Sequence, residues 1–378
     1  MKYRKFGKTN IELSVLGFGS MRLPVIDNNQ ANINESEAIR MMHYAFDNGI
    51  NYIDTAYPYH EGQSELVVGK ALKHRYRDKI HLATKLPSWA IESYSDFDKY
   101  LDEQLAKLQT DHIDFYLIHN LHANVWPKIR DLGVLNWCDN IIKSGKVRYV
   151  GFSIHDTAIL FKEILDSYNW DFCQIQYNYM NEDIQVGTKG IEYAYQKEIP
   201  VIIMEPLLGG SLVQLPTQIK QLFDNAGKDH INMALQWLWN KKEVSLVLSG
   251  MSSMEQLVKN IEYASKASIN SFSAKDYDLM EKIKNEYSKL VPIPCTKCRY
   301  CLPCPKNIEI PHLFGLYNDA VVHKDKSQWL YRVIYNNNIP EDRRADACIK
   351  CRKCEAKCPQ GIKIANWMPK VHSELYEP

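Results

Sequence analysis

The sequence predicts a closed (β/α)8 TIM barrel followed by a small, mainly helical domain. Three observations carry this expectation. Apolar runs rich in β-branched and aromatic residues alternate with amphipathic stretches up to residue 290, a pattern that implies a parallel sheet. The runs number eight, and about 250 residues is the usual span of an eight-stranded barrel. Eight of the ten cysteines lie beyond residue 290 in two tight groups, so the last quarter must fold around different chemistry. The expected domains are therefore 1–290 and 291–378.

The predicted strands are Leu13–Gly17, Asn51–Thr55, Ile80–Lys85, Ile113–His119, Val147–Ser153, Phe172–Tyr177, Val201–Met204 and Val244–Ser249. Between the first two, Ile39, Met42 and Phe46 recur at helical spacing over Glu35–Asn48. Asn34 with Glu37 reads as a capping box there, and Gly49 as the stop. Leu101, Leu105 and Leu108 mark a further helix, as do Ile159, Leu160, Ile164 and Leu165. Ser253 with Gln256 opens a helix carrying Leu257 and Ile261. An open doubly wound sheet would need a glycine-rich fingerprint after the first strand. Gly17-Phe-Gly-Ser-Met-Arg22 is too short a match and runs into Pro24.

Composition places few other demands on the chain. Apolar residues make up 45% and charged residues 24%, as in ordinary globular proteins. A net charge of +1 gives no general pull towards nucleic acid or anionic membrane. No apolar run reaches the roughly 18 residues needed to span a bilayer. Met1–Gly7 has no apolar stretch behind its charges, so no secretion signal is expected and the cytoplasm is the expected location. Dense cysteines in that setting read as metal or cluster ligands rather than disulfides.

The first group is Cys295-x2-Cys298-x2-Cys301-x2-Cys304-Pro. The second is Cys348-x2-Cys351-x2-Cys354-x3-Cys358-Pro. The second has the bacterial ferredoxin spacing for a [4Fe–4S] cluster, and the first differs by one residue. Structural zinc commonly uses two separated pairs instead. In two-cluster ferredoxins the fourth cysteine of each run serves the other cluster. Cys295, Cys298 and Cys301 are thus expected with Cys358, and Cys348, Cys351 and Cys354 with Cys304. From Val291 onward there are 14 Lys and Arg against 9 Asp and Glu. Many of these cations flank the cysteines, where they would offset an anionic cluster. The 43 residues from Pro305 to Ala347 hold amphipathic stretches at Ile310–Val322 and Ser327–Tyr335. Asn336-Asn-Asn-Ile-Pro340 reads as a turn. The tail is therefore expected to be a helical ferredoxin-like domain with two [4Fe–4S] clusters.

In a barrel, catalytic groups come from the C-terminal ends of strands. Asp54, Tyr59, Lys85 and His119 fall at the tips of three consecutive predicted strands or just beyond. Such a set suits proton donation to a carbonyl. Lys85 is expected to lower the Tyr59 pKa from about 10 towards neutrality, with Asp54 holding the lysine charged and His119 orienting the substrate oxygen.

Asn51-Tyr-Ile-Asp-Thr-Ala-Tyr-Pro-Tyr-His-Glu-Gly-Gln-Ser-Glu65, with Val67-Val-Gly-Lys-Ala-Leu72, resembles the signature of the aldo-keto reductase family. Asp114-Phe-Tyr-Leu-Ile-His119 and Lys143-Ser-Gly-Lys-Val-Arg-Tyr-Val-Gly-Phe-Ser153 extend the resemblance, which covers about residues 3–265. It implies a barrel that reduces carbonyls with NAD(P)H and makes Tyr59 the proton donor. It also implies that Ser153 and Gln174 hold the nicotinamide carboxamide, with Met204 packed on the ring. Pro206, Leu207 and Gly209 fall in the segment resembling the pyrophosphate loop. Gly250, Ser252, Ser253, Gln256 and Asn260 fall in the one resembling the adenosine-phosphate loop. The tail resembles the dicluster ferredoxin extensions of one subgroup of the family.

Three departures bear on the cofactor. Ile154 stands where the family has Asn, and Glu205 replaces a small polar residue. No cation occupies Ser252, Ser253 or Gln256, so NADH is favoured over NADPH. A hydride carries two electrons and a cluster takes one, so a flavin is a further candidate cofactor. The expected partners are a small carbonyl or alcohol substrate and a ferredoxin or other redox carrier. Two other readings stay open: a flavin-bearing electron-transfer enzyme without nicotinamide, and a non-catalytic redox-responsive protein with structural clusters. His122, His155 and Trp126 are either pocket-lining or ordinary packing residues. Cys138 and Cys173 receive no role.

Overall fold

A computed structural model describes residues 1–183, 185–322 and 328–377. The chain forms two compact units. One comprises Met1–Pro206 and Ala234–Ser271, the other Leu207–Met233 and Phe272–Pro378.

The first unit opens with a hairpin of β1 (Tyr3–Lys5) and β2 (Glu12–Ser14). Eight parallel strands then close into a barrel: β3 (Leu16–Gly19), β4 (Tyr52–Asp54), β5 (His81–Leu86), β6 (Ile113–Leu121), β7 (Val147–Ile154), β8 (Phe172–Gln176), β9 (Val201–Met204) and β10 (Val244–Gly250). Neighbours pair in sequence order, and β10 closes on β3 through Val247 and Leu16. The predicted first strand, Leu13–Gly17, is corrected by this arrangement. Leu13 and Ser14 belong to the hairpin, and the barrel strand starts at Leu16. Both segments are apolar and extended, so composition alone does not separate them.

The hairpin closes the end of the barrel where the strands begin. Phe6 and Leu13 are buried in one cluster with Tyr52, Phe115, Phe172 and Leu246. Phe6 meets Phe115 edge-on at 5.4 Å. The Arg4 guanidinium donates to the carbonyls of Trp239, Lys241 and Val244, which fixes the hairpin. The opposite end, where the strands finish, carries the candidate site.

Helix α1 (Glu35–Asp47) starts where expected, with Asn34 accepting from the Glu37 N–H. The return half of the predicted capping box is replaced, because the Glu37 carboxylate pairs with Arg40 at 2.7 Å. The helix Ala158–Asp166 buries Phe161, Ile164 and Leu165, while Ile159 faces solvent. Helices α2 (Ser64–Ala71) and α3 (Tyr94–Leu108) pack closely because Gly69 lies between them.

The second unit is mainly helical, with Thr217–Asn225, Ala274–Leu290, Ile310–Val322, Gln328–Asn338 and Ile364–Leu375. Ile293, Ile308, Phe314, Tyr335, Met368 and Leu375 are among the buried residues of its own core, and six of the eight clustered cysteines pack on or within it. The expected turn at Asn336 is corrected. The helix runs on to Asn338, and Asn336 donates to the carbonyls of Arg332 at 2.8 Å and Leu375 at 3.1 Å. Ser327, the expected start of that stretch, lies outside the described residues.

A Cβ at Gly69 would stand 2.7 Å from the Leu108 carbonyl oxygen and 2.8 Å from that of Lys107. Backbone cannot step aside as a side-chain tip can. Gly69→Ala should therefore destabilise the barrel by about 1–3 kcal/mol, read as a lower denaturation midpoint. An unchanged midpoint would mean that α2 and α3 separate freely.

Candidate active site and cysteine centre

The β4 and β5 strands bring Asp54 and Lys85 side by side at the barrel mouth. Asp54 ends β4 and pairs in register with Ala83, two residues before Lys85. The Lys85 ammonium is fully buried. It donates to Asp54 Oδ1 at 2.6 Å, to the Thr55 carbonyl at 2.7 Å and to Tyr59 Oη at 3.4 Å. The His119 ring, at the end of β6, meets the Tyr59 ring edge-on at 6.2 Å. All four expected residues are brought together. Trp89, 43% exposed, lies against His119 at 5.2 Å and adds an aromatic wall.

Groups that sequence reasoning passed over hold this set in place. His60 follows Tyr59, with φ of 52° at His60 and 55° at Glu61. Its Nε2 accepts the Leu23 N–H at 3.1 Å, which leaves Nδ1 to donate to the Gln30 carbonyl at 2.9 Å. The tyrosine loop is thus tied to the loop after β3. Behind Lys85, Gln104 donates to the Lys85 carbonyl at 3.0 Å and to Glu65 at 2.6 Å. Thr84 donates to Glu65 at 2.7 Å, and Tyr116 to Gln104 at 2.6 Å. Ser88 donates to the His119 carbonyl at 2.5 Å. The sequence signal was available in part: Glu65 and His60 both sit inside the quoted signature segment.

Electrostatics correct one expectation. The Tyr59 phenol is pushed well above 10, by burial first, then by the carboxylates of Asp54 and Glu205. The ammonium at 3.4 Å does not drive it towards neutrality. Burial pushes Lys85 down against the pull of Asp54, and pushes Asp54 up against the pull of Lys85. His119 is held well below 6.5 by burial, with Lys85 and His155 adding to the effect. At neutral pH the tyrosine therefore bears its proton and His119 is a neutral ring.

The expected cofactor residues fall into separate groups. Ser153 on β7 and Gln174 on β8 are register partners. Ser153 Oγ accepts the Asn120 N–H at 2.8 Å, and Gln174 Nε2 reaches Met204 Sδ at 3.6 Å. Gln174 Oε1, Asp54 Oδ2 and His119 Nδ1 are buried without a hydrogen-bond partner. Buried polar atoms of this kind are ordinarily satisfied by a ligand or water, and a carboxamide-bearing group fits this set. Gly250, Ser252, Ser253 and Gln256 lead into the helix Met254–Ser265. There Ser253 Oγ accepts the Gln256 N–H at 3.3 Å, and Gln256 Oε1 accepts the Ser252 N–H at 2.9 Å. Asn260 donates to Ser249 at 3.1 Å. A Cβ on Gly250 would meet the Arg22 side-chain stem at 3.2 Å, so a residue from the far end of the chain packs beside this loop. Pro206 is buried at the end of the first unit. Leu207 and Gly209 belong to the second unit, where Gly209 lies against the Thr296 carbonyl.

Trp126 is a packing residue, buried and donating to Glu163 at 3.0 Å. His155 bonds Gln185 at 3.1 Å. Cys138 and Cys173 are buried thiols.

In the second unit, cysteines of the two runs lie near one another. Cys301 lies within electrostatic reach of Cys295, Cys298 and Cys358, and of Cys354. Cys354 lies within reach of Cys348, Cys351 and Cys304. One cavity is lined by Cys301, Cys304, Cys348, Cys351 and Cys354. Among the described residues no group of three or more His, Cys, Asp or Glu side chains is placed to hold a single metal ion. The two runs also share a backbone form. Lys297 and Arg299 have φ of 57° and 69°, and the matching Lys350 and Arg352 have 55° and 58°. Alternating left-handed residues build the concave N–H nests that suit anions.

The aldo/keto reductase family model matches residues 15–285, and a 4Fe-4S dicluster domain model matches residues 294–362. The chain belongs to the aldo/keto reductase family. Among curated proteins this reductase is 36% identical over 157 residues to "Probable aldo-keto reductase 1" of Glycine max, covering 39% of this chain and 44% of that protein. It is 27% identical over 298 residues to "Uncharacterized oxidoreductase YqkF" of Bacillus subtilis, covering 70% of this chain and 91% of that one. Among solved structures it resembles the holo form of aldo-keto reductase AKR11C1 from Bacillus halodurans. The TM-score is 0.63 at 27% identity, over 75% of this chain and 96% of that one. The protein is thus an oxidoreductase of this family with a dicluster iron–sulfur domain. No described helix is long and apolar enough to cross a membrane.

The site gives a pH prediction. Burial pushes His155 down to about 4 from 6.5. Below the unfolded pKa the unfolded chain binds a proton that the folded chain refuses. Stability should therefore fall as pH drops from about 6.5 to about 4, by at most about 1.4 kcal/mol per pH unit for this group. His155→Gln should flatten that part of the stability profile relative to wild type. Parallel profiles would show that His155 titrates normally.

Proposed function

We propose that this reductase interconverts a small carbonyl compound and its alcohol, with Tyr59 as the proton donor. The observation that carries this is the Lys85 ammonium, buried against Asp54 and 3.4 Å from Tyr59 Oη. Tyr59 keeps its proton at neutral pH and offers it to the oxygen of a bound carbonyl. The phenolate left behind then lies beside a fixed positive charge, which no water has to reorganise to supply. Lys85 therefore acts on the product of proton transfer more than on the resting acid. His119, neutral and with one ring nitrogen unengaged, orients the substrate oxygen. Trp89 and His119 wall the entrance.

Ser153, Gln174 and Met204 are the residues proposed to hold a nicotinamide group, which when bound supplies the hydride. Pro206, Leu207 and Gly209 are proposed for its pyrophosphate. Gly250, Ser252, Ser253, Gln256 and Asn260 are proposed for the adenosine end. With no cation at Ser252, Ser253 or Gln256, NADH is the proposed donor, and Arg22 beside Gly250 is a neighbour that would soften that preference. We further propose the division into a catalytic part, 1–290, and a cluster part, 291–378. Cys295, Cys298, Cys301 and Cys358 would hold one [4Fe–4S] cluster, and Cys348, Cys351, Cys354 and Cys304 the other. The clusters would exchange single electrons with a redox carrier.

Tyr59→Phe should lower kcat for carbonyl reduction by about 10²–10⁴-fold with an unchanged circular dichroism spectrum. In the wild type, carbonyl reduction should show no alkaline loss due to Tyr59 below about pH 10, since its pKa is raised. Full activity in the phenylalanine variant would remove Tyr59 from the mechanism.

The interlocked sets make a separate prediction. Cys358→Ser should perturb the cluster of the first cysteine run, and Cys304→Ser that of the second. Iron and sulfide assays with electron paramagnetic resonance on anaerobic protein would read this. Two identical residual spectra would mean that each run holds its own cluster.

A further inference from the structure

We propose that the loop Ile349–Lys353 is the docking surface for a small acidic one-electron carrier protein. This rests on the reading that Cys304, Cys348, Cys351 and Cys354 hold a cluster. Among the described residues, Cys351 alone of the ten cysteines is exposed. That places the second site at the surface, whereas Cys301 of the first is buried. Lys350, Arg352 and Lys353, beside Cys351, are exposed and make no ion pair among the described residues. Some exposed lysines elsewhere are paired, as Lys70 is with Glu35, Lys128 with Glu92 and Lys146 with Asp102; here three unpaired cations fall within four residues around one exposed cysteine. The nearest acid along the chain is engaged: the Glu355 carboxylate accepts the Ala365 N–H at 2.8 Å. At the start of this cationic loop Ile349 is 58% exposed.

A ligand of a redox centre at the surface, one apolar contact and a rim of uncompensated cations fit a particular kind of partner. Redox encounter complexes use small interfaces. Their association is steered by opposite charge rather than held by buried area. An acidic carrier would meet its charge complement here with the acceptor beneath it. A cluster held by Cys304, Cys348, Cys351 and Cys354 would accept one electron from the reduced carrier, with no proton or bond moving.

The test uses the anaerobic full-length protein and a reduced, purified acidic ferredoxin as probe, mixed by stopped flow at low and at physiological salt. Wild-type electron uptake should slow about tenfold or more as salt rises to about 0.15 M. The combined Lys350→Glu, Arg352→Glu and Lys353→Glu variant should be slower by a similar factor at low salt and nearly insensitive to salt. Lys73→Glu on the barrel should behave as wild type. Iron, sulfide and reduction by dithionite must be retained in every variant. If dithionite reduces nothing in the wild type, the cluster reading itself fails. If the clusters are reduced but the triple variant keeps wild-type rate and salt dependence, the docking surface is overturned. A shift in midpoint potential without a change in salt dependence also overturns it, because the cations would then serve only the cluster. Salt-sensitive binding to anionic vesicles or duplex DNA, with no reaction with ferredoxin, would overturn it in favour of those partners.

Discussion

The ammonium of Lys85 is the constraint around which the barrel mouth is organised. A charge with no exposed surface costs several kcal/mol unless its donors are met. Asp54, the Thr55 carbonyl and Tyr59 Oη meet all three. That requirement fixes the ends of two strands and the loop after β4. The Glu65, Gln104, Thr84 and Tyr116 network fixes the Lys85 backbone from behind. Removing Asp54 would leave an unpaired buried cation, a change worth about 3–5 kcal/mol. The site is therefore built into the stability of the fold and is not merely attached to it.

The same burial reverses a simple reading of the tyrosine. Seen as a list of neighbours, a lysine next to a tyrosine suggests an acidic phenol. In the folded chain two carboxylates and low solvent access outweigh one shared ammonium. Glu205 takes part in this. It sits just past β9 with φ of 53°, a conformation uncommon outside glycine. Asn178 donates to its carbonyl at 3.1 Å and stabilises the turn. A high pKa suits an acid that must reach the reaction with its proton still on it.

What could be read from the sequence follows from what is local. Eight parallel strands announce themselves because buried strands are continuous apolar runs, and Asp54, Lys85 and His119 could be placed because barrel chemistry sits at strand ends. Cysteine spacing was equally legible, since cluster ligation is set by a few adjacent residues. Leu13 was misplaced because a plugging hairpin and a barrel strand have the same composition. Asn336 was read as a turn because propensity ignores the Leu375 carbonyl that its side chain reaches. His60, Gln104 and Arg22 went unnoticed because their partners lie 12 or more residues away and no periodicity points to them. The sign of the Tyr59 shift was unreadable for the same reason: it depends on burial and distance.

The pairing of a hydride site with single-electron centres becomes less awkward once electrons are counted. A hydride delivers two electrons, and each [4Fe–4S] cluster takes one. Two clusters in one chain therefore match the electron count of one turnover, which a single cluster would not. In the proposed reading the proton would be handled separately, at Tyr59, whose pKa burial raises. Proton and electron inventories would then be held by different parts of the sequence. In the same reading the exposed Cys351 would place one electron site at the surface, and the buried Lys85 and Asp54 would keep the charge beside the proton donor away from water. Solvent access, low at those two residues and high at Cys351, would then let each site do its own task.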